Sequence, residues 1–130
     1  MSDKFDRGIV IDLFQQIVET LGRIEMSFST ITTPDSLYDS YDGKEKLDAI
    51  CMKLLAVGEI LKKIDNKTSK SLLAKYEGID WVGFIGLRDI IAHDYYNINP
   101  EKIYGICSQE LEPLMIAIAK IISDLQTNNV

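Results

Sequence analysis

Apolar residues at helical spacing run through almost the whole chain. Phe5, Ile9, Leu13, Ile17, Leu21, Ile24 and Phe28 recur every three or four residues, the stripe of one long helix. Val10, Phe14 and Val18 add a second stripe beside it, so the helix is expected to pack against more than one neighbour, and a second subunit is one candidate. Proline disfavours helical geometry in the residue before it, so this helix should end before Thr32-Thr33-Pro34. No segment alternates with period two for long enough to make a strand.

The same reading places the later elements. Pro34 to Gly43 reads as a loop or short turn. Leu47, Ile50, Leu54, Val57, Leu61 and Ile64 mark a second helix from about Lys44 to Ile64, broken by Asp65-Asn66-Lys67. Thr68 is then a candidate N-cap for a short helix through Tyr76, stopped by Gly78. Asp80 can cap a helix that starts at Trp81, where Gly83 and Gly86 imply a closely packed neighbouring backbone. Asn99 before Pro100 is a strong start signal for a last helix, with Ile103, Ile106, Leu111, Leu114, Ile118, Ile121 and Leu125 on its core face and a frayed tail from Gln126. The expected fold is all-α, an antiparallel bundle of four to five helices with a core over about residues 5–125.

Composition supports one globular domain spanning residues 1–130, with 46% hydrophobic and 26% charged residues. The start shows no apolar leader core, and no apolar run reaches the roughly 20 residues of a membrane span, so a cytoplasmic protein is expected. Cys51 and Cys107 both lie in helical patterns and read as buried thiols rather than a disulfide. Two cysteines and one histidine, without ligand spacing, make a poor metal set, and no cofactor is expected.

The net charge of −6 argues against general nucleic-acid affinity. Charge is nevertheless segregated. Lys62, Lys63, Lys67, Lys70 and Lys75 form one basic stretch, and Asp35, Asp39, Asp42, Glu45 and Asp48 form an acidic one. Either is ordinarily a solvated face. The alternative is that the lysines attract phosphates while the acids face elsewhere.

One run concentrates chemistry: Arg88, Asp89, His93, Asp94, Tyr95 and Tyr96. A lone histidine is more often structural than reactive, but its company here changes that estimate. If the helix continues to Tyr95, Arg88 and Tyr95 share a face, and Asp89 can touch and orient His93. Arg88 and His93 are five residues apart, about 140° around the axis, so one straight helix does not focus both on one small target. Two copies about a two-fold axis would place the arginine of one opposite the histidine of the other. Arginine clamps phosphate oxygens, histidine moves protons near neutral pH, and tyrosine donates a hydrogen bond or stacks. The set suits attack of a ribose 2′-hydroxyl on the adjacent phosphate. The structural alternative makes Arg88 a surface ion-pair partner and His93 a helix C-terminal cap.

Val57-Gly58-Glu59-Ile60, Tyr76-Glu77-Gly78-Ile79-Asp80-Trp81, and Ile85-Gly86-Leu87-Arg88 leading to His93-Asp94-Tyr95-Tyr96 together resemble the HepT-like branch of the HEPN superfamily over roughly residues 47–123. The resemblance implies a helical bundle that forms a homodimer, or a higher homo-oligomer, with its signature helices near the two-fold axis. It implies a metal-independent endoribonuclease acting on RNA as the toxin of a toxin–antitoxin pair. By position the family's arginine, histidine and tyrosine are Arg88, His93 and Tyr95. The implied partner is a minimal nucleotidyltransferase antitoxin of the HepT/MntA type, which silences the toxin by attaching AMP to Tyr95. Tyr96 stands where an aromatic is common. Asp89 and Asp94 depart from the asparagine and glycine often found there, and both add negative charge beside a phosphate site. Glu59, a carboxylate in an apolar run, needs a partner, and Arg88 is the candidate. The alternative function is a catalytically weak or inactive nucleotide-binding or accessory subunit of a nucleotidyltransferase complex. The blandest reading is a helical scaffold.

Overall fold

A computed structural model describes residues 5–130 as an all-helical bundle with no strand among them. Helix α1 spans Arg7–Phe28, α2 Tyr41–Lys67, α3 Trp81–His93, α4 Pro100–Gly105 and α5 Leu111–Gln126. A π-helical segment, Ile106–Glu110, joins α4 to α5, so the last three elements form one continuous rod. Short 3-10 turns occur at Pro34–Leu37, Leu73–Lys75 and Tyr95–Asn97. No described helix is long and apolar enough to cross a membrane.

The periodic residues build the core as expected. Val10, Leu13, Phe14, Ile17, Leu21 and Ile24 of α1 are buried, with Ile50, Leu54, Val57, Leu61 and Ile64 of α2. Helix α1 packs against α2 and α5. The α1–α5 pair is antiparallel, because Arg7 Nη1 at the start of α1 donates to the Leu125 carbonyl near the end of α5 at 2.9 Å. Ile9 of the first α1 stripe and Val18 of the second remain exposed within the chain, so each stripe is only partly covered.

The π-helical segment explains a step in the apolar pattern. Ile106 and Leu111 are five apart, which in a regular α-helix would swing Leu111 away from the core. A wider i→i+5 turn absorbs the extra residue, and both side chains stay buried.

Four local expectations are corrected. Helix α2 runs through Asp65-Asn66-Lys67 and starts earlier, at Tyr41, where the Ser40 side chain accepts from the Gly43 amide. Thr68 closes α2 rather than opening a new helix. Its hydroxyl donates back to the Ile64 carbonyl at 2.9 Å, and Ser69 and Lys70 follow in left-handed conformations that stop propagation. The segment to Tyr76 therefore contains only a single 3-10 turn. At the other end, the tail beyond Gln126 is tied down: the Asn129 amide donates to the Asp124 carbonyl and Arg7 Nη2 reaches the Val130 carbonyl.

The fourth concerns the glycines of α3. A Cβ at Gly86 would meet open space, and one at Gly83 would meet only the capping carboxylate of Asp80. The close backbone approach instead lies at Gly58 on α2. A Cβ there would sit 2.8 Å from the Phe84 carbonyl oxygen and 3.3 Å from Arg88 Cβ. Gly58 thus sets the distance between α2 and α3, the pair that carries the signature.

Candidate functional site

Asp80 and Asn99 cap their helices as the sequence implies, accepting from the Gly83 and Glu101 amides at 2.9 Å. Between these caps lie the signature residues. Trp81, Phe84, Leu87 and Ile91 anchor α3 in the core, and the Trp81 indole donates to the Tyr76 carbonyl. That anchoring rotates Val82, Asp89, Ile90 and His93 outward. Val82 is 82% exposed and Ile90 49%, so the outer side of α3 is an apolar strip flanked by polar signature groups.

Arg88 is half-buried and bound at both ends of its guanidinium. Nε pairs with Glu59 of α2, and Nη1 donates to Asp89 at 3.0 Å. Glu59 is therefore a partner of Arg88, although it is half-exposed rather than buried in the apolar run. Asp89 turns to Arg88 and not to His93, so the expected Asp89–His93 pair does not form.

Helix α3 ends at His93, which is exposed. It does not continue to Tyr95, so Arg88 and Tyr95 do not share a helical face. Asp94 leaves helical geometry at φ −142° and ψ 45°. Its carboxylate accepts from Asn97 Nδ2 at 2.8 Å, which folds Tyr95–Asn97 into a 3-10 turn. Asp94 thus has a structural role at the turn. Tyr95 is carried toward the start of α2, and its ring meets Tyr96 edge to face with centroids 5.8 Å apart. Tyr96 is almost wholly exposed.

Helices α2 and α3 are antiparallel: Gly58 and Glu59 meet Phe84 and Arg88, while Leu47, Asp48 and Cys51 lie beside Tyr95 and Tyr96. This geometry decides where the charge goes. The acidic start of α2 lies at the His93–Tyr95 end. The basic residues Lys62, Lys63 and Lys67 lie toward its other end, Lys67 about 24 Å along the helix from Cys51. Within one chain the lysine stretch is therefore remote from His93. Sequence reasoning missed Tyr38 and Lys44, which line the same groove as Tyr95. Their position depends on the fold-back of Pro34–Leu37 onto α2 and α4, which no local pattern encodes.

Cys51 is fully buried and Cys107 half-buried, and both are free thiols. Burial, helped by Asp48, pushes Cys51 up to about 12, and burial, helped by Cys51, does the same to Cys107. Away from the signature, Tyr76 donates to Asp124 at 2.7 Å and Lys120 donates to the same carboxylate at 3.2 Å. This network fastens the segment before α3 to α5.

Fold and site define an all-helical protein that carries a half-buried arginine and an exposed histidine on one helix and a tyrosine in the turn that follows it. The family model described as Ribonuclease HepT-like matches residues 28–121, and the chain belongs to that family. Three curated relatives, all from Methanocaldococcus jannaschii, are similar to it. "Putative RNase MJ0127" is 28% identical over 95 residues, covering 72% of this chain and 75% of the relative. "Putative RNase MJ0125" is 26% identical over the same length, with 72% and 78% covered. "Gamma-glutamylcyclotransferase and putative RNase MJ0434" is 25% identical over 112 residues; the match spans 86% of this chain but only 47% of that relative. No solved structure matches the chain significantly.

Proposed function

We propose that the chain is a metal-independent endoribonuclease toxin whose site is completed across a homodimer and silenced when a partner nucleotidyltransferase attaches AMP to Tyr95. The observation that carries this reading is the placement of exposed His93 at the end of α3, beyond Arg88 on the same helix and two residues before Tyr95. Family membership supports the ribonuclease class.

The chemistry follows from the groups. His93 takes the proton of a ribose 2′-hydroxyl or delivers one to the leaving group. The 2′-oxygen bonds to phosphorus, the bond from phosphorus to the 5′-oxygen breaks, and a cyclic phosphate and a 5′-hydroxyl result. Arg88 stabilises the charge that develops on the phosphoryl oxygens. Tyr95 contributes a hydrogen bond and, by its exposure, a hydroxyl open to modification.

Arg88 and His93 are separated by about 7.5 Å along α3 and about 140° around it. The exposed Val82–Ile90 strip, with open space over Gly86, is a surface on which a second α3 can lie. A two-fold axis near Ile90, at the end of that strip and midway between the two positions, would set Arg88 of one chain opposite His93 of the other.

RNA cleavage by wild type and His93→Ala, each with and without EDTA, tests the reading. Cleavage should survive EDTA and disappear in His93→Ala; full cleavage by the purified variant would sink it. Gly86→Leu should shift the molecule toward monomer by light scattering and lower cleavage with it. Intact-mass measurement after incubation with the cognate transferase and ATP should show one AMP on wild type and none on Tyr95→Phe.

A second reading is a weak or inactive nucleotide-binding or accessory subunit of a nucleotidyltransferase complex. The pairing of Arg88 with two carboxylates favours it, since a phosphate must displace or share them. It predicts stable assembly with the transferase and no RNA turnover.

A further inference from the structure

Beside the signature lies an open groove of about 650 Å³ between the start of α2 and the Tyr95–Asn97 turn. Its size is within the roughly 300–1,000 Å³ of small-ligand sites. Tyr38, Tyr95 and Tyr96 line it together with Lys44, Leu47 and Asp48. The rings come from segments far apart in sequence, and all three remain accessible. The Tyr38 hydroxyl is held by Asp35 at 2.7 Å, which restricts its ring. Tyr95 and Tyr96 stand at 72° to one another and form an aromatic corner. Among the lining residues Lys44 is the one cation.

We propose that this groove binds one unpaired RNA nucleotide next to the phosphate being cleaved, with its base stacked on the tyrosine rings and its phosphate on Lys44. The proposal rests on the ribonuclease reading for the position of that phosphate at His93. Aromatic rings accept any base face, and a lysine tracks the backbone charge. Inside a duplex both faces of a base are covered by stacking and its edge by pairing, so the groove requires a single strand. Asp48 is an acceptor-only group, and it favours a base edge carrying an exocyclic amine over uracil.

Binding is measured with a short single-stranded 2′-O-methyl oligoribonucleotide, which lacks the nucleophile and stays intact. Fluorescence anisotropy at fixed salt gives the affinity. Tyr38→Ala should weaken binding about tenfold, while Tyr38→Phe keeps it. Lys44→Ala should weaken binding and reduce the slope of log affinity against log salt by about one. Tyr41→Ala, an exposed tyrosine outside the groove, should leave affinity unchanged. In cleavage assays Tyr38→Ala should raise KM more than it lowers kcat. No binding by wild type, equal binding of a duplex, or an unchanged affinity in Tyr38→Ala overturns the groove assignment. The two ideas separate cleanly. Cleavage that needs His93 with Tyr38-independent binding removes only the groove. Tyr38-dependent binding with cleavage intact in His93→Ala removes only the ribonuclease assignment of the signature.

Discussion

Arg88 of α3 is ion-paired with Glu59 of α2, one residue beyond the glycine that lets the two helices approach. Both side chains are substantially exposed, so the pair contributes at most about 1 kcal/mol to stability. Its consequence is orientation: Glu59 aims the guanidinium, and Asp89 holds its other end.

The two acids should therefore separate in effect. Glu59→Gln is expected to lower kcat several-fold with little change in unfolding free energy, because Arg88 loses its anchor. Asp89→Asn is expected to lower KM for RNA, by an amount that shrinks as salt is raised, because a negative charge beside the phosphate is removed. Steady-state cleavage at two ionic strengths checks both; a salt-independent Asp89→Asn effect would contradict the electrostatic account.

Gly58→Ala should destabilise the protein by about 2 kcal/mol, since its methyl group would press on the Phe84 carbonyl and force α2 and α3 apart. Gly86→Ala, with open space around it, should instead stabilise the isolated chain by up to about 1 kcal/mol through helix propensity. Urea unfolding of the two variants gives opposite signs if the close approach lies on α2 as described.

The Tyr76–Asp124 pair should make stability acid-sensitive. The Tyr76 hydrogen bond, reinforced by Lys120, holds the Asp124 carboxyl below the usual carboxylate range. A depressed carboxyl stabilises the fold above its unfolded value, and that contribution is lost as pH falls below about 4 through the folded value. Tyr76→Phe should lower the thermal midpoint by about 3 °C at pH 7 and flatten its fall between pH 5 and pH 3. An unchanged acid limb in calorimetry would count against the pair.

Both thiols should resist alkylation in the native state. A value near 12 leaves the thiolate fraction about a thousandfold below that of an ordinary thiol. Iodoacetamide at pH 8 should label Cys51 and Cys107 only after denaturation; quick native labelling of Cys51 would show that its helix opens readily.

The long helices were legible because burial imposes a 3.6-residue period, and the caps at Asp80 and Asn99 because an oxygen side chain there satisfies free amides. The step from Ile106 to Leu111 went unread, because both were placed on one face of an unbroken helix; a π-helical turn is what keeps both in the core. The end of α3 was less legible. Nothing local weighs Asp94 leaving the helix to accept from Asn97 against one further helical turn to Tyr95.

The sequence by itself determined that this chain is a helical bundle of the HepT-like family, and it singled out Arg88, His93 and Tyr95 as the candidate site on which the proposed function rests. Apolar periodicity and the signature are both short-range patterns. The tertiary structure decided what those residues meet: Glu59 beside Arg88, the close approach at Gly58, the acidic start of α2 at the His93 end, and Tyr38 and Lys44 across the groove from Tyr95. These depend on how α2 and α3 lie antiparallel, and residues far apart in the chain acquire a relationship only when packing brings them together.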